Sequence, residues 1–480
     1  MKSLSKNTFF NIIYNITNMV FPLISSMYVA RILFSDGVGK VSFAQNIVSY
    51  FISFAVLGIP VYGIREIAKV QKESAKRDTI FTELFLINIF STAISVIVYI
   101  ILIFNCFQLE LPLFLCSGLS IFFNFINIDW LYQGMEEYSY IAIRSLLIKI
   151  LLLIALILFV NTRSDYVIYS MILSLATGGN YIFNVINARK FVKLKFQGIS
   201  IKKHLSSIII LALSILLSNL YSKVDITMIG TMVGDVATGY YTYAHRIIEI
   251  VLTACASFSS VFLPRLSLYY NKQPEDFNKL LKLGIRILTF ITIPAAIGLF
   301  FLAPQLIYIL YGEDFSSATF TVRMLSPLII IKGFGNLLCY QLVICTGNEK
   351  KRIPAYGLAA LLNLLLNYFL IPIFMERGAA FASVVSEFIV NGYQIYLMRK
   401  IIKIPFEKKA LSQAIITTLI MSISLILISY LPFNYLVKTI VSVAMGFIVY
   451  ILTNFLLRNQ FLIEVIKKIK KMCYGIRRSI

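Results

Sequence analysis

The sequence predicts an all-α integral membrane protein with about 14 transmembrane helices, arranged as two pseudo-symmetric six-helix lobes followed by two C-terminal helices. Three observations support this: repeated apolar runs of about 20 residues, charges placed mostly between those runs, and an internal repeat. Of the 480 residues, 59% are hydrophobic and 14% are charged, and the mean hydropathy is +0.83. A β-barrel would instead show alternation over roughly 10-residue strands.

Fourteen apolar runs are candidate membrane spans. The first follows a basic start without a cleavage signal, so it is interpreted as an uncleaved helix. The runs lie near residues 9–31, 41–63, 80–104, 111–132, 141–160, 166–187, 205–231, 239–263, 282–302, 318–345, 354–374, 379–398, 411–430 and 436–457.

Lys and Arg are distributed unequally between alternate loops. With the N-terminus inside, the inner segments carry 33 of these cations and the outer loops carry 5. Cytoplasmic loops of membrane proteins are enriched in Lys and Arg, so both termini are predicted to be cytoplasmic. The outer loops are short, which argues against a membrane polymerase with a catalytic outer loop.

A repeat divides the chain into lobes. "SDGVGKVSFAQNI" (35–47) aligns with "DVATGYYTYAHRI" (235–247), which pairs Gly39 with Gly239. Two lobes of six spans share one membrane orientation, and transporters of this kind bind substrate near the midplane between lobes. The predicted divisions are 1–200 and 201–403 for the lobes, 404–457 for two additional helices, and 458–480 for a basic cytoplasmic tail.

Composition excludes several functions. The net charge of +22 lies mainly in loops, as in polytopic membrane proteins, so nucleic-acid binding is not expected. The six cysteines form no CxxC pair and the two histidines do not cluster with them, so the sequence supports neither a metal site nor a cofactor. No catalytic motif is visible, and the chain is predicted not to be an enzyme.

Charged residues inside the spans are the candidate functional residues, because they are costly in a bilayer and usually face a protein interior or a watery cavity. The cations predict a cavity that binds an anion such as phosphate, and the acids are candidates for H⁺ or Na⁺ coupling. The predicted cationic set within the spans is Lys149, Arg246, Lys332, Lys223 and Arg323, and the predicted coupling set is Glu249, Glu387 and Asp225.

Three segments resemble bacterial polysaccharide-unit flippases of the multidrug/oligosaccharidyl-lipid/polysaccharide exporter superfamily. They are "YVARILFSDGVGKVSFAQNIVSYFISFAVLGIPVYGIREIAK", "LYQGMEEYSYIAIRSLLIKILLLIALILFV" and "GNEKKRIPAYGLAALLNLLLNYFLIP". The resemblance covers essentially the whole chain. In type and place, Arg31, a cation of an outer loop, aligns with a basic residue that such flippases often carry at the end of helix 1, and the resemblance adds Arg31 to the predicted cationic set.

The resemblance implies a two-lobe transporter of the bacterial cytoplasmic membrane that uses alternating access. Its implied cargo is an undecaprenyl-diphosphate-linked oligosaccharide, turned from the inner to the outer leaflet for surface polysaccharides such as O-antigen or capsule. Implied partners are membrane lipid, a polysaccharide polymerase and chain-length machinery.

Several alternatives remain open from the sequence. A flippase for another cell-wall precursor, of the teichoic-acid or lipid II type, fits the same charges. A multidrug or cation antiporter of the superfamily shares the lobes, although the basic bias argues against cationic drugs. A membrane polysaccharide polymerase is the alternative from a different class.

Overall fold

The computed structural model describes residues 4–270, 272–348, 352–464 and 466–467, and these residues are helical with no strand among them. Two compact units divide the chain, Met1–Gly239 and Tyr240–Ile480. The first contains α1 (Leu4–Val56), α2 (Ile59–Lys69), α3 (Ser74–Cys106), α4 (Leu111–Phe123), α5 (Asp129–Gly134), α6 (Tyr138–Phe159), α7 (Tyr166–Ala188), α8 (Lys202–Met232) and the start of α9 (Asp235–Ser260).

The second unit continues α9 and carries the remaining helices. They are α10 (Phe262–Tyr269), α11 (Pro274–Tyr311), α12 (Ala318–Leu325), α13 (Leu328–Gly335), α14 (Leu342–Cys345), α15 (Arg352–Arg399), α16 (Lys408–Ser429) and α17 (Tyr435–Leu456). A π-helical segment, Asn336–Gln341, joins α13 to α14. Most of the predicted basic tail (458–480) lies outside the described residues, because residues 465 and 468–480 are not among them.

Eleven stretches of the described residues are long and apolar enough to cross a membrane. Two of them are double spans, because α1 has 53 residues and α15 has 48, far more than the roughly 20 that cross a bilayer. Each breaks at one non-helical residue, Phe34 (φ 57°) or Met375 (φ 53°). With α7, which has 23 residues and is not among the eleven stretches, these helices account for the fourteen predicted spans. The prediction of an all-α membrane fold is confirmed.

In the first unit, α8 packs against α1 and α2. The unit therefore extends to residue 239, whereas the repeat placed a lobe boundary at residue 200. The repeat-based boundary stays a prediction, because a sequence repeat and a packing unit need not coincide.

The repeat itself has a direct structural counterpart within the first unit. A Cβ at Gly39 would lie 1.7 Å from the carbonyl oxygen of Asp235, and a Cβ at Gly239 would lie 2.2 Å from that of Ser35. Both distances are far below van der Waals contact, so only glycine permits this approach. The first turns of the aligned segments, up to Gly39 and Gly239, thus cross each other reciprocally, and the glycines that the repeat matched are the ones that this crossing requires.

Polar side chains connect helices inside the apolar region of the first unit. Ser117 and Ser170 join α4 to α7 through their hydroxyls at 2.5 Å, and Ser120 donates to Ser174 at 2.9 Å. Small hydroxyl residues allow close helix approach and hydrogen-bond across it, which is how membrane helices associate without a hydrophobic driving force.

The chain that leaves α7 is held by the first turns of α3. The backbone N–H of Lys195 donates to Thr82, and that of Ser200 donates to Glu83 at 2.7 Å. Glu83 has no exposed surface and also contacts His204 and Lys203 at 2.8 Å. The second ring nitrogen of His204 lies 2.8 Å from the Tyr62 hydroxyl. A buried carboxylate therefore joins α2, α3 and α8.

In the second unit, α16 and α17 pack against α11. The Tyr450 hydroxyl donates to the Phe290 carbonyl at 2.8 Å, and Gln413 donates to the Leu457 carbonyl at 2.7 Å. Arg286 pairs with Glu407 at 2.8 Å. These bonds attach the two additional helices to the preceding helices of the same unit.

Candidate functional site

Lys149 lies at the middle of the 22-residue α6. It is roughly 16 Å from either helix end at 1.5 Å per residue, which is too far for its side chain to reach the interface. Its ammonium instead donates to the amide oxygen of Asn18 on α1. Among the described residues no carboxylate forms an ion pair with it. Lys149 therefore presents a positive charge, bound to a neutral partner, at the middle of a membrane helix of the first unit.

The other predicted residues of the first unit lie on α1 and α8. Arg31 is exposed, one turn before the break at Phe34. Asp225 is buried at 7% exposure, while Lys223 is half-buried. The carbonyl of Lys223 accepts a bond from Asn46 at 3.2 Å, and the same amide donates to Thr227 at 2.7 Å. This part of α8 is thus fixed to α1 by polar contacts.

Lys332 and Glu387 form an ion pair in the second unit. Their side chains, on α13 and α15, approach to 3.1 Å, with 37% and 14% of each exposed. Asn391, one turn after Glu387, donates to the other carboxylate oxygen at 3.0 Å. The sequence predicted both charges separately, and the structure brings them together, so the charge of Lys332 is balanced by a neighbouring helix.

A cavity of about 420 Å³ lies beside this pair. It is lined by Lys332 and Asn336 on one side and by His245, Glu249 and Thr253 of α9 on the other. His245 Nδ1 lies 3.6 Å from the Glu249 carboxylate, one helical turn away. Two predicted residues, Lys332 and Glu249, thus share one cavity, whose lining includes a base, an acid and a histidine.

The two predicted arginines of the second unit contact aromatic rings. Arg246 lies over the ring of Tyr243 at 5.2 Å. Arg323 lies over Phe300 at 5.4 Å, and its guanidinium donates to the Phe300 carbonyl at 3.2 Å. Arg323 is therefore fixed to α11 and is not among the residues that line the cavity.

A π-helical segment begins four residues after Lys332. In Asn336–Gln341 the backbone is locally widened, and such segments frequently occur at functional sites. Gln341 donates to Asn336 at 3.0 Å and to the carbonyl of Ser259 on α9 at 2.7 Å. The widened backbone thus places amide side chains next to the cavity wall.

Sequence reasoning missed the polar partners Asn18, His245 and Asn391. Asn391 follows Glu387 by one helical turn, and His245 precedes Glu249 by one turn, so helical spacing could have identified both. Asn18 is 131 residues from Lys149, and no local signal relates them. The 33 cations of the predicted inner segments include Arg144, and the structure instead places it buried in α6, where it pairs with Asp129 at 3.2 Å.

A comparison with protein families identifies two matches along the chain. Residues 4–269, more than half of the sequence, match the family described as polysaccharide biosynthesis protein. Residues 211–369 match the MatE family.

Individual relatives agree with these matches. A protein of Escherichia coli strain K12 named "Putative O-antigen transporter" is 25% identical over 410 residues, which are 83% of this chain and 97% of that protein. The structure of lipid II flippase MurJ in an inward closed conformation is similar with a TM-score of 0.76 and 17% identity, covering 94% of this chain and 99% of that one. An inward-facing multidrug transporter of the MATE family has a TM-score of 0.61 and 16% identity, covering 80% and 94%.

These relatives are named as transporters and flippases, so the prediction that the chain is not an enzyme is confirmed. The structural neighbours share the fold of a multi-pass helical membrane protein. The resemblance drawn from the sequence is confirmed as well: the chain belongs to the polysaccharide biosynthesis protein family, within the multidrug/oligosaccharidyl-lipid/polysaccharide exporter superfamily.

Proposed function

We propose that the chain is a flippase that turns an oligosaccharide linked to undecaprenyl diphosphate from the inner to the outer leaflet of the bacterial cytoplasmic membrane. The family match and the relative named as an O-antigen transporter support a role in surface polysaccharide assembly. The excess of Lys and Arg in the predicted inner loops supports cytoplasmic termini. A polymerase and chain-length machinery would then act on the product.

The observation that carries this proposal is the contact of Lys149 with Asn18. A diphosphate bears negative charge, and an ammonium without a carboxylate partner is suited to bind it. The neutral amide orients Lys149 without cancelling its charge. In the proposal, Lys149 contacts the diphosphate while the lipid tail remains in the bilayer, and no covalent step occurs.

The ion pair of Lys332 with Glu387 serves a different role in the proposal. Because Glu387 balances Lys332, a ligand anion gains little from that cation unless the pair separates. Protonation of Glu387 or Glu249, or cation binding to them, would change the charge beside the cavity. We therefore propose these acids, with Asp225, for H⁺ or Na⁺ coupling. Coupling shifts a conformational equilibrium only if the ion binds the two states with different affinity.

A flippase for lipid II is the second candidate, favoured by the fold similarity to MurJ. It has the same diphosphate chemistry, so Lys149 does not distinguish the two cargoes. The accumulated sugar distinguishes them, because each cargo carries its own glycan.

The test is depletion of the protein in its host, followed by leaflet-resolved analysis of lipid-linked oligosaccharide and complementation with variants. We expect complete units to accumulate on the cytoplasmic leaflet. Lys149→Met should fail to complement: hydrogen bonds to charged groups are worth about 1.5–3 kcal/mol, which lowers transport by roughly tenfold or more. Lys149→Arg keeps the charge and should restore part of the transport.

Lys438→Met is the matched control. Lys438 is a half-buried cation near the start of α17 that donates to the Ser429 carbonyl, so its loss should leave transport unchanged. Full transport by a normally inserted Lys149→Met variant would refute the anion contact. Complete units that reach the outer leaflet but remain unpolymerised would refute the flippase and favour a polymerase.

A further inference from the structure

The first unit contains a second cavity, of about 360 Å³, that the proposed function does not use. Its size falls within the range of small-molecule sites. It lies between α1, the turn formed by residues 105–110, the start of α4, and the junction of α8 with α9. The charge pattern of the loops assigns this end of the unit to the outside.

Three aromatic rings form an apolar floor in this cavity. Phe107 stacks on Phe114 with ring centroids 4.2 Å apart, and Phe43 meets them edge-on at 5.9 and 6.3 Å. Gly230 permits this packing, because a Cβ there would come within 2.3 Å of the Phe43 ring. The three rings pack against one another, and α8 packs closely against Phe43. The floor is therefore a fixed feature of the fold.

Polar groups surround the floor, and most of them are hydrogen-bond acceptors. Lys40 pairs with Glu110, which also accepts a bond from Tyr166 at 3.0 Å. The amide nitrogens of Asn105 and Gln108 donate to the backbone, at 2.7 and 2.9 Å. Their amide oxygens are left as acceptors at the rim. The carboxylate of Asp235 completes the rim.

The charged groups that line the cavity indicate which class of ligand it can bind. One ammonium and two carboxylates line the cavity, so an anionic diphosphate is disfavoured there. A sugar ring combines an apolar face of C–H groups with an edge of hydroxyls that donate and accept hydrogen bonds. Its face suits the aromatic floor, and its hydroxyls suit the amide and carboxylate oxygens.

We propose that this cavity is a binding site for a neutral sugar ring, separate from the diphosphate contact at Lys149. The inference rests on the proposed function for its source of ligand: the glycan of the cargo, held near the outer surface. It assigns the sugar and the diphosphate to different parts of the first unit.

Cys106 supplies a reporter for the test, because it is exposed and lines the cavity. The full chain, with its other cysteines replaced, is placed in lipid nanodiscs, and the rate of maleimide labelling of Cys106 is measured. The probes are glucose, galactose, mannose, rhamnose, N-acetylglucosamine and N-acetylgalactosamine, with sorbitol as the control for viscosity. We expect at least one sugar to slow labelling several-fold.

Two variants and one reporter position make the test specific. Asp235→Ala and Gln108→Ala should each remove the protection, and Lys438→Cys should label at the same rate with or without sugar. Absence of protection by all six sugars, or protection that persists in both variants, overturns the proposal. Protection by tetramethylammonium but not by sugars also overturns it and assigns a cation site.

The leaflet assay separates this inference from the proposed function. Protection of Cys106 by a sugar together with normal export after depletion would refute the flippase and leave the sugar site. Loss of export on depletion without protection by any sugar would refute the sugar site and leave the flippase.

Discussion

Removal of the Glu83 carboxylate should destabilise the first unit strongly. Glu83 is completely buried and accepts hydrogen bonds from the Ser200 backbone N–H at 2.7 Å and from Lys203 at 2.9 Å, and it contacts His204 at 2.8 Å. Lys203 is half exposed, so its contribution is about 0–1 kcal/mol. The buried bonds are worth more, because removing one partner of a buried pair typically costs about 3–5 kcal/mol.

We therefore expect Glu83→Ala to lower the free energy of unfolding by about 3–5 kcal/mol. For a unit of this size, 1 kcal/mol corresponds to about 2–4 °C in Tm, so the midpoint should fall by about 6–20 °C. Glu83→Gln retains an acceptor for Ser200 and should lose about half as much.

The assay uses the one tryptophan in the chain. Trp130 is 2% exposed, and its ring lies 5.6 Å from that of Phe81, two residues before Glu83 on α3. Its fluorescence during heating therefore reports unfolding of the same region. Glu66→Ala is the control, since Glu66 pairs only with the exposed Arg65 and Lys69 among the described residues. If the two variants melt within about 2 °C of each other, less than 1 kcal/mol separates them and the reasoning fails.

Two further predictions concern helix packing and the ion pair. Gly39→Leu should lower the midpoint at which the helical circular-dichroism signal is lost on heating, because overpacking costs about 1–3 kcal/mol and the obstacle here is backbone. Gly357→Leu is the control: it has open space around its Cβ position and should leave the midpoint unchanged. Equal midpoints for the two variants would contradict the crossing. Lys332→Met should lower the yield of folded protein in size-exclusion chromatography after heating, because Glu387 loses its counter-ion. Adding Glu387→Gln should recover most of that yield, and a double variant less stable than Lys332→Met would contradict the pairing.

Hydropathy predicted the helices well because the bilayer itself fixes their length and composition. The breaks at Phe34 and Met375 fall between predicted spans, although the helical backbone runs almost continuously across them. Partners across helices could not be predicted in this way. Glu83 and His204 are 121 residues apart, and periodicity places a residue on a face of its helix without stating which helix that face meets. The roles proposed for the site residues stay predictions.

A cation can lie within a membrane helix for more than one reason, and the contacts of each cation show which reason applies. Arg144 is 6% exposed, but Asp129 balances its charge and Asn184 accepts a hydrogen bond from it, so its position needs no ligand. Arg286 pairs with Glu407 in the same way. Lys149 differs, because its partner is a neutral amide and the net charge remains. A charge in the middle of a membrane helix that the described residues do not neutralise is a candidate contact for a ligand. The proposed anionic cargo is therefore supported by Lys149 more than by the number of cations in the spans.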